Sequence, residues 1–272
     1  MKANSKINLH LFLGISLTLV LLLSPLPVFG RVWLNQTIEY LLGPITELFV
    51  SNFFGQSQSQ YGFYTDSLNY ALLLAICIVI SIMVFGFVQL FFQNLKILIQ
   101  QFINTFLIYF LAWIFAVYGA YKLFGIQFPE PNSMILQMTL EDLGQDLAFW
   151  SLMGINKTLT IAIGLIEILI AVALLFKKTR SIGLFLMLIA LAQIVLINFA
   201  FDISVKIFSA LLLLAVIYLS YPFLCQTLKW FMKLKTSDRG EIQTLKMSDN
   251  YRKPLKFLIL SWIVISALTP IL

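Results

Sequence analysis

Glu167 places a carboxylate inside the apolar run GLIEILIAVALLF, where chemistry is not expected unless something is gained by it. An ionisable side chain at the centre of a membrane span costs about 2.5–3.5 kcal/mol on insertion scales. Two uses repay that cost. The acid can fix helix packing, protonated or paired with an amide, or it can handle a proton or bind a ligand. Glu167 shares a helical stripe with Thr160, Gly164 and Ala171. Small residues at that spacing let helices approach closely, so the carboxylate is expected to face other helices and not lipid. Gln193, at similar depth in the next apolar run, is its expected hydrogen-bond partner. A second, outer polar level is formed by Lys122, Asn198, Asp202 and Lys206. Lys122 either snorkels to the interface or pairs with Asp202 or another outer carboxylate. Asp202 and Lys206 bracket a short turn, where Asp202 or Ser204 is placed to cap the following helix at its positive end.

These residues need elements to hold them. The chain has 272 residues, 60% of them hydrophobic and only 11% charged, against about 25% charged in a soluble domain. Apolar runs of about 20 residues, the length of a transmembrane helix, recur along it. Seven candidate spans stand out, at 9–29, 69–92, 102–124, 156–176, 181–201, 205–221 and 257–272. The last is shortest, and it either spans or dips in. Barrel strands would be alternating segments of about 10 residues, so the expected fold class is an all-α integral membrane protein. The first span reads as an uncleaved anchor, with a signal peptide as the alternative.

Orientation follows from the basic residues. With the N-terminus in the cytoplasm, 14 of the 18 Lys and Arg fall inside and four outside, namely Arg31, Lys122, Lys157 and Lys206. The expected location is a cytoplasmic membrane, crossed several times. The formal charge of +6 therefore reads as membrane orientation and not as a nucleic-acid surface, which would gather its basic residues on one face. Cys77 and Cys225 lie in different spans with no CxxC, and His10 is the only histidine. A thiol relay within the chain and a bis-histidine haem are not expected, and no metal site is apparent. The outer stretch 30–68, with GQSQSQYGFY, reads as a solvated connector, a binding loop being the alternative. The inner stretch 223–256 opens with lysines interleaved among Leu228, Trp230, Phe231 and Leu234, as in a helix lying on an anionic leaflet.

Four passages in order carry a family likeness: YGAYKLFGIQFPEP (118–131), WSLMG (150–154), GLIEILIAVALLFKKTRSIG (164–183) and NFAFDISVKIFS (198–209). Their succession resembles the DoxX-like family of bacterial membrane proteins, in particular a long multi-span subgroup. The likeness is good over 100–222 and weaker over 31–99. Ser204 departs from it, since subgroup members commonly carry proline there. The resemblance implies a four-helix membrane bundle over 100–222, preceded by an N-terminal membrane region, 1–99. The inner segment 223–256 and the hydrophobic span 257–272 follow. It also implies a bacterial inner membrane. Some relatives are subunits of thiosulfate- or quinone-linked oxidoreductases, or partner with redox enzymes. For this chain three functions compete. The first is a non-catalytic scaffold for a membrane or periplasmic partner in envelope redox or maturation, with no cofactor of its own. The second is a quinone-linked oxidoreductase subunit in which Glu167 and the outer cluster place a proton or a quinone carbonyl. The third is a small-solute or proton transporter.

Overall fold

The computed structural model describes residues 2–24, 32–54, 66–139, 141–231, 242, 244–245 and 249–268. Among them every regular element is helical: α1 (Lys2–Leu23), α2 (Val32–Phe54), α3 (Leu68–Phe91), a 3-10 turn (Gln93–Leu95), α4 (Lys96–Leu123), α5 (Ser133–Gln137), α6 (Gln145–Ile155), α7 (Lys157–Leu175), α8 (Arg180–Ala200), α9 (Lys206–Phe231) and α10 (Asp249–Leu268). Among the described residues, five helices are long and apolar enough to cross a membrane, within Leu68–Phe91, Gln93–Leu123, Lys157–Leu175, Arg180–Ala200 and Lys206–Cys225. The chain is thus an all-α membrane protein. These five match the expected spans from 69 to 221. The first expected span is present as a shorter apolar helix, Asn8–Leu23. The last falls in α10, which begins at Asp249 instead of 257 and is not among these five.

Helix starts follow local chemistry. Asn156 caps α7 by accepting from Leu159 N at 3.1 Å, and Ser67 caps α3 by accepting from Tyr70 N at 3.2 Å. Each satisfies one backbone donor that has no partner within the helix.

The chain divides into two compact units, 1–107 with 210–246, and 108–209 with 247–272. The expected bundle of 100–222 therefore falls partly in each. In the first unit α1 packs on α3 with the two chains running in opposite directions. Ser24 Oγ lies 2.9 Å from Tyr70 OH, and Gln89 Nε2 donates to Asn8 Oδ1 at 3.0 Å. The stretch 30–68, read as an outer connector, holds α2, which packs on α3. Among its described side chains Asn35, Ile38, Thr46 and Val50 are buried, at helical spacing. Polar residues such as Gln36, Thr37, Glu39 and Glu47 dilute its hydropathy and hide that stripe. The GQSQSQYGFY passage and most of the expected basic segment 223–256 lie outside the described residues.

In the second unit α7 and α8 form a hairpin through the basic turn. The turn is closed from the α8 side. Arg180, itself buried, donates from Nε to Leu174 O at 3.1 Å, and Thr179 Oγ1 donates to Ala173 O at 2.8 Å. These carbonyls end α7, where a cation also meets the negative end of the helix dipole. At the same end, Lys256 of α10 sits 4.3 Å from the Phe176 ring centroid. At the other end the chain turns back directly after α4. Ile126 N and Gln127 N both donate to Tyr121 O, at 2.8 and 3.1 Å. Phe128 then packs on Trp150 of α6 with ring centroids 4.9 Å apart, and Phe149 packs on Phe201 at 5.0 Å.

Candidate functional site

The polar centre of the second unit is a buried ion pair between α4 and α7. Lys122 Nζ donates to both oxygens of Glu167, at 2.9 and 2.7 Å. The two side chains are only 8% and 5% exposed. The Tyr118 ring centroid lies 6.0 Å from the same ammonium, within reach of a cation–π contact.

Two glycines let the helices come close enough for this. A Cβ on Gly119 would meet Gly164 O at 2.8 Å, and a Cβ on Gly164 would meet Gly119 O at 2.6 Å. The arrangement is reciprocal. The Lys122 stem lies beside Gly164, and the Glu167 stem lies beside Gly119. Each charged residue thus packs its aliphatic part on the other helix's glycine before the head groups meet. Thr160, Gly164, Glu167 and Ala171 are all buried, so the stripe faces protein, as its spacing implies. Thr160 Oγ1 is used locally, donating to Met153 O at 2.7 Å.

The partner of Glu167 differs from the expected one. Gln193 is exposed, and both carboxylate oxygens are taken by Lys122. Lys122 likewise neither snorkels nor pairs with an outer carboxylate. The physical reason is the glycine crossing of α4 and α7, which seats the Lys122 stem against Gly164 and buries a residue that linear hydropathy assigns to the interface. The signal that could have found the pair is the parallel between Gly119-x-x-Lys122 and Gly164-x-x-Glu167.

The remaining outer residues make two separate contacts. Asp202 Oδ1 and Lys206 Nζ are 2.6 Å apart, with Asp202 78% exposed. Asn198 Nδ2 donates to Ser209 Oγ at 2.9 Å, and both residues are buried. Asp202 does not start α9. It adopts φ 52° just past the end of α8, and Ile203 N donates back to Asn198 O at 2.9 Å. That is a left-handed helix stop closed by a six-to-one hydrogen bond. The capping role expected for Asp202 therefore belongs to the helix before it. Outside these, Lys157 Nζ and Glu130 Oε2 form an exposed pair at 2.8 Å. The hydrogen bond and charge of Lys157 hold the Glu130 carboxyl below the usual carboxylate range.

No protein-family model matches the chain, and no solved structure matches it. Among curated proteins, the uncharacterized protein YwoB of Bacillus subtilis is 33% identical over 126 residues, which cover 46% of this chain and 74% of YwoB. The chain belongs to the YwoB family. In this chain an ammonium and a carboxylate meet at a glycine crossing of α4 and α7, and a separate hairpin is closed through Asn198, Asp202 and Ser209.

Proposed function

We propose that this chain is a DoxX-like membrane module of the bacterial cytoplasmic membrane that holds a membrane or periplasmic partner and carries no reaction itself. The observation that carries this reading is the state of Glu167. Its two oxygens are both engaged by Lys122, so the acid joins α4 to α7. A quinone carbonyl or a transported proton at Glu167 would have to displace an ammonium from a buried contact. That costs the desolvation of an unpaired charge, which weighs against the oxidoreductase and transporter readings at this residue. The order of the four DoxX-like passages supports the family reading, and the excess of basic residues on one side supports an N-terminus in the cytoplasm. The outward partner-facing side would then carry α5, α6 and the Asp202 hairpin.

The test is purification of the full chain in mild detergent from its native host after brief cross-linking, with partners identified by mass spectrometry. A stoichiometric membrane or periplasmic protein, recovered equally with a Lys122→Met/Glu167→Met variant, is the expected result. Repeated recovery of the chain alone would overturn the proposal. So would a quinone-dependent activity of the purified material that the double variant abolishes.

A further inference from the structure

Helix α2 divides into sectors that face different surroundings. Asn35, Ile38, Thr46 and Val50 are buried, and α3 is the helix on which α2 packs. The residues left in the open are sorted by type. Leu41, Ile45, Leu48 and Phe49 are between 44% and 66% exposed. At 3.6 residues per turn they centre on one flank of the buried stripe. Gln36, Glu39 and Glu47 are exposed as well, and they centre on the other flank, about 180° from the first. Tyr40, which is 82% exposed, and Pro44 lie between the flanks, on the side away from the buried stripe. A helix that spans a bilayer beside a bundle meets protein and lipid. A helix in solution meets protein and water. An apolar flank, a buried stripe and an acidic flank in that order fit a helix lying along a membrane surface against the side of other helices. Acyl chains are then below it, protein beside it and water above it. Tyr40 faces outward at headgroup level, where amphipathic rings are favoured.

The path of the chain agrees. Leu68–Phe91 is long and apolar enough to cross a membrane. Ser24 Oγ, just past the end of α1, lies 2.9 Å from the hydroxyl of Tyr70 in the first turn of α3. The chain therefore leaves α1 and enters α3 at the same membrane face, and α2 is the helix in between. Had α2 crossed, the polar passage GQSQSQYGFYTDS (55–67) would have to bring the chain back through hydrocarbon, where its amides, hydroxyls and carboxylate are costly. Helix α2 contains no lysine or arginine, so apolar area and not charge would hold it to the bilayer.

We propose that α2 is an interfacial helix, lying in the leaflet where α3 begins, with Leu41, Ile45, Leu48 and Phe49 in the acyl chains and Gln36, Glu39 and Glu47 in water. Its exposed apolar flank is thus a lipid-contact surface and not a docking site for protein. Under the orientation proposed above this leaflet is the outer one. The arrangement itself holds for either face and for any partner.

The test uses the full chain in phosphatidylcholine vesicles, with Cys77→Ala and Cys225→Ser as background. One nitroxide-labelled cysteine at a time replaces Glu39, Leu41, Ile45, Glu47 or Leu48. Collision with oxygen, which concentrates in acyl chains, is compared with collision with a water-soluble nickel chelate. A label at Ile82, exposed on α3, supplies the mid-span reference. Oxygen should dominate at 41, 45 and 48, and the chelate at 39 and 47. The three apolar sites should share one depth, about 5–10 Å into the headgroup and acyl boundary, shallower than Ile82. A depth that changes by about 10 Å from Leu41 to Leu48, the rise of seven residues along a crossing helix, would overturn the proposal. So would chelate dominance at 41, 45 and 48, which means a helix standing in water. Low collision with both reagents at those sites would overturn it as well, because a protein partner or a second copy would then cover the flank.

Discussion

Replacing Lys122 with methionine leaves the Glu167 carboxylate, 5% exposed and with both oxygens stripped of their donor, buried without a counter-charge. Removing one member of a buried pair costs about 3–5 kcal/mol. Glu167→Met should cost a similar amount, since the ammonium is then the orphan. The double variant, Lys122→Met/Glu167→Met, removes both charges and fills similar volume with apolar side chains. Such replacements are often neutral or stabilising by about 1–4 kcal/mol. The two single losses should therefore not add, and the double-mutant cycle should return a coupling of several kcal/mol. At about 1.4 kcal/mol per tenfold, each single variant should raise the unfolded fraction by about two to three and a half orders of magnitude. The readout is reversible unfolding in detergent or bicelles, followed by the fluorescence of the five tryptophans. Single variants within about 1 kcal/mol of the parent would refute the reasoning, because the pair would then be solvated or dispensable. A double variant as unstable as the sum of the singles would refute it too, because the cost would then lie in packing and not in charge.

Other outcomes follow from the same geometry. Gly119→Ala should destabilise by about 1–3 kcal/mol through overpacking, because the new Cβ would stand 2.8 Å from Gly164 O; a thermal unfolding midpoint unchanged from the parent would contradict the close crossing. Asp202→Gly should be neutral or slightly stabilising, since a left-handed φ of 52° suits glycine, whereas Asp202→Val should cost about 1–2 kcal/mol, read from the same melting curves. The Glu130 carboxyl titrates below its unfolded value because of Lys157. Its contribution is thus present above the unfolded carboxylate range and lost as pH falls through the depressed folded value. Comparing Glu130→Gln with the parent from neutral to acid pH should show the two stabilities converging on the acid side.

The spans from 69 to 221 were legible because each is a long apolar run, and Asn156 and Ser67 announce their helix starts by residue type. The burial of Glu167 was legible from the small-residue stripe it shares. Its partner was not. Hydropathy assigns depth along a straight helix, and it places Lys122 at the interface. Instead α4 and α7 cross at Gly119 and Gly164, and the Lys122 stem is buried against the second helix, a tertiary contact that hydropathy does not encode. Helix α2 was missed for a related reason. Its buried stripe of Asn35, Ile38, Thr46 and Val50 mixes polar and apolar residues, so a window average reads it as a loop. Asp202 was read as a start signal because acids favour helix N-termini, while its backbone conformation, which decides the matter, is invisible in the residue type.

The reciprocal crossing of α4 and α7 also bears on how the chain is built into a bilayer. Synthesis proceeds from the N-terminus, so the helix bearing Lys122 and Gly119 is laid down before the helix bearing Gly164 and Glu167. The later helix carries the acid at mid-span, where solitary insertion is least favourable. A docking groove with an ammonium beside a glycine is already waiting for it. Each helix therefore supplies what the other's charged residue needs inside a bilayer, a counter-charge and a glycine to lie against, so neither α4 nor α7 is a self-sufficient span.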